Sequence, residues 1–335
     1  GYILISDSFG TDRVYAKYGD KVYVEYEDPY PADYAVTGAS KTFTATASVG
    51  IPVEKPFEIT APAAVEPVTG APVNVTTVGK MVAISTELKN IDVVNSTIAI
   101  ANEHTRTYYD VIPTVARASR ILKKVVALDI TKGVKKLVDG IASFVEQSKI
   151  DLIVGMDSGG DALCMGFESG IKSPLADSIC VAALYKLKGI EKSIIGVFGF
   201  GSDGELRVEE LLYNMSILMK NRGFYGCTSF GEKEYDLMLG LTKHVVTEAS
   251  MLPLKAYEGK FCLEKMRDGR TVLVSPLSTL TFYFDPEKVF ELNSLAKEVL
   301  NAESIEEANK KLNKLGVFTE LDYERAVSDF KQQNV

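Results

Sequence analysis

The chain reads as an α/β protein, a mostly parallel, doubly wound, Rossmann-like sheet preceded by a β-rich N-terminal segment. Three observations predict this. From about residue 85 to 330, apolar runs alternate with stretches whose apolar residues recur three and four apart, the order of strands and helices in βαβ units. Two of the runs end in glycine and acid, at 157–161 and 199–205. Residues 1–75 instead alternate Thr, Tyr and Val and close on five prolines between Pro52 and Pro72.

A length of 335 residues suits about two domains, drawn here as a β-rich segment with a proline-rich linker over 1–75 and an α/β domain over 85–330. The hydrophobic share of 46% and charged share of 24% are those of a folded globular protein. A net charge of -8 argues against nucleic acid as a partner, since phosphate binding needs a basic surface. No apolar run reaches the roughly 18 residues that span a bilayer, and no secretory leader is visible. Cys164, Cys180, Cys227 and Cys262 follow no C-x-x-C spacing. They read as free thiols in a reducing, cytoplasmic compartment. With only His104 and His244 present, a histidine-rich metal site is excluded. A homo-oligomer is compatible with this composition.

Along the chain, residues 14–26 hold two β runs around Gly19 and Asp20, a hairpin signal. Lys41 to Ser48 alternates again. In the second segment, Val93–Ala101 predicts a strand, and Pro113 opens a helix through Val115, Ala118, Ile121 and Leu122. Val125–Ile130 is the next strand, and Val134, Leu137, Val138, Ile141, Phe144 and Val145 form one helical stripe. Ile150–Met156 is a strand with the continuous apolar character of one covered on both faces. Leu175–Leu187 is a helix, Ser193–Phe200 a strand, Glu205–Asn221 a helix and Glu232–Ser250 a helix holding His244. Tyr225 to Cys227 reads as a connector. Thr271–Ser275 and Ser278–Phe284 are strands. Asp285 caps a helix running to about Leu300, Ser304 caps another that Gly316 ends, and 319–322 start the last.

Ligands of open parallel sheets bind at the carboxyl ends of strands. Asp157 ends one strand there. Ser158, Gly159 and Gly160 allow a tight turn whose amides can face a ligand, and Asp161 opens the following helix. Gly201, Asp203, Gly204 and Glu205 repeat this after the next strand. Neither turn is a Walker loop or a complete G-x-G-x-x-G fingerprint. The crowding of acids favours a sugar, an amine or a cation-bridged phosphate, with Mg²⁺ a candidate cation. Against this stands the plainer reading of tight turns with Asp and Ser as caps. His104 and Arg106 follow another strand end, where the first could exchange protons and the second could clamp an anion.

The stretch from Asp157 to Asp177 resembles the archaeal family called domain of unknown function 1152. So do 128–133, 201–206, 275–282 and 304–309, and the resemblance covers roughly 85–330. It implies an α/β fold and a cytosolic archaeal protein without an established activity. Members of that family open on a strand and a glycine-rich G-G-G-D loop. Residues 1–85 contain no such loop, so either the first β–α unit has been replaced or the chain joins pieces of two proteins. Residues 1–75 resemble a piece of an archaeal surface-layer protein. Two functions follow: a protein binding a small polar metabolite or nucleotide, with or without catalysis, or a structural component of the cell surface, which would place it outside the cell.

Overall fold

The computed structural model describes the strand residues 2–6, 13–17, 21–24 and 41–44, then residues 87–333 apart from 109–110, 123, 190–191, 246 and 267–268. The chain divides into two compact units, Gly1–Val75 and Thr76–Val335. In the first, β1 (Tyr2–Ser6) pairs antiparallel with β2 (Arg13–Lys17), and β3 (Lys21–Val24) with β4 (Lys41–Thr44). The runs flanking Gly19 and Asp20 are therefore strands, but each is bonded to another partner rather than across that turn. The proline-rich stretch 52–72 lies outside the described residues.

The second unit opens with short strands. β5 (Leu88–Lys89) is followed by β6 (Asp92–Val93), β7 (Ile98–Ala101), β8 (Arg106–Thr107) and β9 (Val125–Leu128). β5 pairs with β8, while β7 lies between β6 and β9, every pair antiparallel. This corrects the expected strand over 93–101 and its parallel crossover. Asn95 Oδ1 accepts the amides of Thr97 and Ile98, which turns the chain into a hairpin. The intervening helix, Thr114–Ala118, has only five residues. That is too short to carry a crossover between parallel strands.

The main sheet has the order β10–β11–β15–β12, with β10 Ile153–Ser158, β11 Ser193–Phe198, β12 Phe224–Ser229 and β15 Leu280–Phe284. β10 and β11 are parallel, and β15 runs antiparallel to both β11 and β12. The sheet is thus mixed rather than mostly parallel. Apolar patterning carries no strand direction, and β15 enters reversed from a second hairpin, β13 (Cys262–Lys265) with β14 (Thr271–Val274). Phe224–Ser229, read as a connector, is a strand. Gly226, at φ +120, makes its register shift there and weakens the β signal.

Helix Gly133–Ser148 precedes β10, helix Pro174–Leu187 links β10 to β11, and helix Val208–Lys220 links β11 to β12. The last begins three residues later than expected, because 199–205 are wound into a turn. The expected helix 232–250 ends at Thr242, leaving His244 beyond it in a turn, and a separate helix spans Met251–Tyr257. Residues 276–279 form a 3₁₀ turn rather than the start of β15. Asp285 caps helix Pro286–Leu292 as expected, but Asn293 ends it. The Asn293 side chain caps a new helix, Ser294–Val299, through the Ala296 amide, and its Nδ2 donates to the Ala162 carbonyl. Helices Ile305–Lys314, capped by Ser304, and Glu320–Gln333 close the chain.

The main sheet and the helices around it share one core, while Leu252, Ala256, Val272 and Val274 form a second cluster and Leu88, Ala99 and Ala127 a third. Leu175, Ile179 and Leu187 of the helix 174–187 pack with Val197, Leu211, Phe284, Val289, Val299 and Leu312, all fully buried. Among the described residues no helix is long and apolar enough to cross a membrane.

Candidate functional site

The site is built at the carboxyl ends of the parallel pair. Strand β10 continues through Ser158, and the chain then turns on Gly159 and Gly160, at φ +126 and +131. Asp161 begins a 3₁₀ turn, Asp161–Leu163, rather than a long helix. The two turns interlock: Gly159 N donates to Phe198 O at 2.9 Å, and Gly201 N to Gly159 O at 2.7 Å. A Cβ on Gly159 would stand 2.2 Å from Asp203 Cγ, so only glycine allows the Asp203 carboxyl to lie against this turn. The amides of Gly159, Gly201 and Gly204 thus bind carbonyls of the protein itself, while that of Gly160 meets the Asp157 carboxyl.

The acids do converge. One carboxylate oxygen each of Asp157, Asp161 and Asp177 lie within 4.8 Å of one another. They come from a strand end, a 3₁₀ turn and the first turn of helix 174–187. Asp161 and Asp203 are buried, and Asp157 and Asp177 half-buried. Asp157 Oδ2 accepts the Ala162 amide at 3.2 Å. Burial pushes the Asp157 carboxyl up to about 6, and the charge of Glu205 adds to this against hydrogen bonds from Ala162, Asp161 and Gly160. Burial, with Asp177, Asp157, Asp203 and Glu205 nearby, holds Asp161 well above the usual carboxylate range. Burial does the same for Asp177, beside Asp157, Glu320 and Glu205. Asp203 is pushed up to about 7 by burial and by Asp157. Its Oδ1 accepts the Glu205 amide at 3.1 Å. Among the described residues its buried Oδ2 has no hydrogen-bond partner, while the Asp161 amide lies near enough to lower the carboxyl.

Glu205 does something else. Its carboxylate accepts the amides of Lys172 at 2.7 Å and Ser173 at 3.0 Å, the Ser173 hydroxyl at 2.6 Å and Arg270 Nη1 at 3.3 Å. Glu320 accepts the amides of Leu175 at 3.1 Å and Ala176 at 2.8 Å. Two acids from distant segments thus cap the start of the helix that carries Asp177. Glu168 is likewise spent on structure. Burial pushes its carboxyl up, but the amides of Met165, Glu168 and Gly166 and the Asn214 side chain outweigh that and hold it below its usual range.

Ser158 Oγ lies 3.3 Å from Ser250 Oγ. Ser250, with Thr114, Met238, Leu241 and Thr247, lines a cavity of about 380 Å³. Gly204, at φ +69, lies 2.8 Å by its missing Cβ from Val272 and so lets the second turn pack on β14. His104 and Arg106 stand apart. His104 is exposed and its amide bonds Asn102, while Arg106 Nη1 donates to the carbonyls of Glu103 and Thr105. Neither shares a hydrogen bond or ion pair with the acids among the described residues. Asp177, Ser250, Arg270 and Glu320 were not among the predicted site residues. Asp177 had a local signal, an acid in the first turn of a helix opened by Pro174; the other three are brought in only by folding.

A family model described as a protein of unknown function, DUF1152, matches residues 83–328. The chain belongs to this family. Neither a curated protein nor a solved structure matches it. The DUF1152 match contains the whole of the acidic cluster, from Asp157 to Glu320.

Stability without cations follows from these shifts. Asp157, Asp161, Asp177 and Asp203 have folded values above the ordinary carboxylate value of about 3.9. Their contribution is complete below that value and is lost as pH rises through about 6 for Asp157 and about 7 for Asp203. The lowered carboxyls Glu168, Asp285 and Asp322 lose theirs only in more acid solution. In EDTA the melting temperature is therefore expected to fall between about pH 4 and pH 7. Asp161→Asn is expected to flatten that fall; an equal slope in wild type and variant would mean the cluster does not govern it.

Proposed function

We propose that the Thr76–Val335 unit binds a small polar metabolite, of nucleotide or polyol type, at the carboxyl ends of β10 and β11. The observation that carries this reading is the meeting of Asp157, Asp161 and Asp177 there. Among the described residues no lysine or arginine forms an ion pair with any of them. Carboxylates crowded this closely and left without cations are costly to the fold. Ligand hydroxyls, an amine or a cation-bridged phosphate would satisfy them. Two further features support the reading. The parallel pair offers the strand edge at which doubly wound, Rossmann-like folds take their ligands. A cavity of about 380 Å³, the size of a small metabolite site, borders the same strand end: Ser250 of its lining meets Ser158, the neighbour of Asp157 on the other face of β10. The setting is cytoplasmic in this reading, in keeping with four cysteines that form no disulfide and with thiols of Cys164 and Cys180 pushed up by burial.

A metabolite screen by thermal shift on wild type and Asp157→Asn tests it. Asn keeps the shape and the acceptor for the Ala162 amide but not the charge. A ligand that raises the melting temperature of wild type is expected to lose about ten- to a hundredfold in affinity for the variant, roughly 1.5–3 kcal/mol for a charge-assisted contact. Equal stabilisation of both proteins would show that Asp157 serves only its own turn.

A further inference from the structure

The acids at this edge differ in how they are satisfied, and the difference points to a specific group. Glu205, Glu320 and Glu168 each accept two or more backbone amides. Asp157, Asp161 and Asp177 differ: among the described residues the backbone amides that reach the three are those of Ala162 and Gly160, both on Asp157. Each offers an oxygen within 4.8 Å of the other two, from three separate elements. That is the spacing and donor set of a hard divalent cation, which takes carboxylate oxygens at about 2.0–2.6 Å and completes its shell with water. A second feature stands beside the triad. Asp203, only 8% exposed, turns against the Gly159 turn before Asp161 a buried oxygen that has no hydrogen-bond partner among the described residues. A coordinated water would supply the missing donor.

We propose that Asp157, Asp161 and Asp177 hold a divalent cation, Mg²⁺ or Ca²⁺, with Asp203 as acceptor for one of its waters. This deepens the ligand-site reading above and rests on it. The ion would neutralise the acids and keep open positions for water, or for a phosphate or vicinal hydroxyls of a ligand.

Calorimetric titration of the EDTA-stripped full chain with MgCl₂, CaCl₂ and MnCl₂ tests this at pH 7.5, with Mn²⁺ also read by its electron-spin resonance. Saturable binding of one ion is expected. Asp161→Asn and Asp177→Asn should each weaken it by about tenfold or more, since each removes a charged ligand. The surface substitution Asp139→Asn should leave it unchanged. Circular dichroism establishes that the variants fold. No binding by a folded wild type would overturn the proposal and leave shared protons as what relieves the triad. So would binding equally strong in the folded triad variants. The two readings separate cleanly. A metabolite that stabilises wild type as well in EDTA as in Mg²⁺ would overturn the cation site and keep the ligand site. One-ion binding abolished by the triad variants, with no metabolite responding, would keep the cation site and end the metabolite reading.

Discussion

Replacing Glu205 by alanine is expected to cost about 3–5 kcal/mol in a urea denaturation experiment, the loss typical of a broken buried charge network. The side chain is 5% exposed and its two oxygens receive the amides of Lys172 and Ser173, the Ser173 hydroxyl and Arg270. Alanine would leave two amides without their acceptor in a part-buried site and remove one acceptor of Arg270, whose Nη1 also donates to the Asp203 carbonyl at 2.7 Å. It would also free residues 172 and 173, which set the start of the helix bearing Asp177. Glu205→Gln keeps the shape and one acceptor oxygen. Its loss is expected to be smaller, roughly 1.5–3 kcal/mol for a charge-assisted bond exchanged for a neutral one. A Glu205→Ala protein as stable as wild type would return this carboxylate to the pool available for ligand.

The second large effect concerns Gly159. A methyl group there would meet Asp203 Cγ at 2.2 Å and Cβ at 2.4 Å, on a backbone at φ +126. The left-handed conformation costs about 1–3 kcal/mol for an L-residue, and the overlap about as much again. Gly226 is a matched control, with φ +120 and nothing within 4 Å of its missing Cβ. Gly159→Ala is expected to be about 2 kcal/mol or more worse than Gly226→Ala, because both share the strain and only the first has the overlap. Equal losses would show that Asp203 can move aside. The same variant should also weaken any ligand response, since the Asp203 oxygen must leave its place against the Asp161 turn.

Asp157, Asp161 and Asp203 were legible in the sequence because a strand end followed by glycine and acid is a local pattern, and the strand it follows positions it. Their division of labour was not legible. Glu205 looked the same as Asp203 in the chain; it differs because the 172–173 backbone folds onto it, and no local signal marks that. Glu320 reads as an ordinary first-turn acid of its own helix, yet its oxygens serve Leu175 and Ala176. The helices were visible from their apolar stripes. Their ends moved where side chains compete with the backbone, as Asn293 does when it caps one helix while ending another. The strand β12 was hidden by Gly226, Cys227 and Ser229, which lower β propensity while its place beside β15 compensates. The direction of β15 left no trace at all, since an antiparallel and a parallel strand share one alternation.

That reversed strand has a bearing on how the molecule is made. β11 bonds β10 on one side and β15 on the other, with Ile195 opposite Phe284. A ribosome delivers β10 and β11 long before β15, so one flank of β11 waits with its ladder unfilled during synthesis. Ordering so distant a contact is slow, because the intervening loop must be closed first. The aspartates at the ends of β10 and β11 are then assembled on a sheet that is still incomplete. Nascent chains arrested before and after Leu280 should differ sharply in resistance to protease, with the site segment protected only once the later strand has emerged.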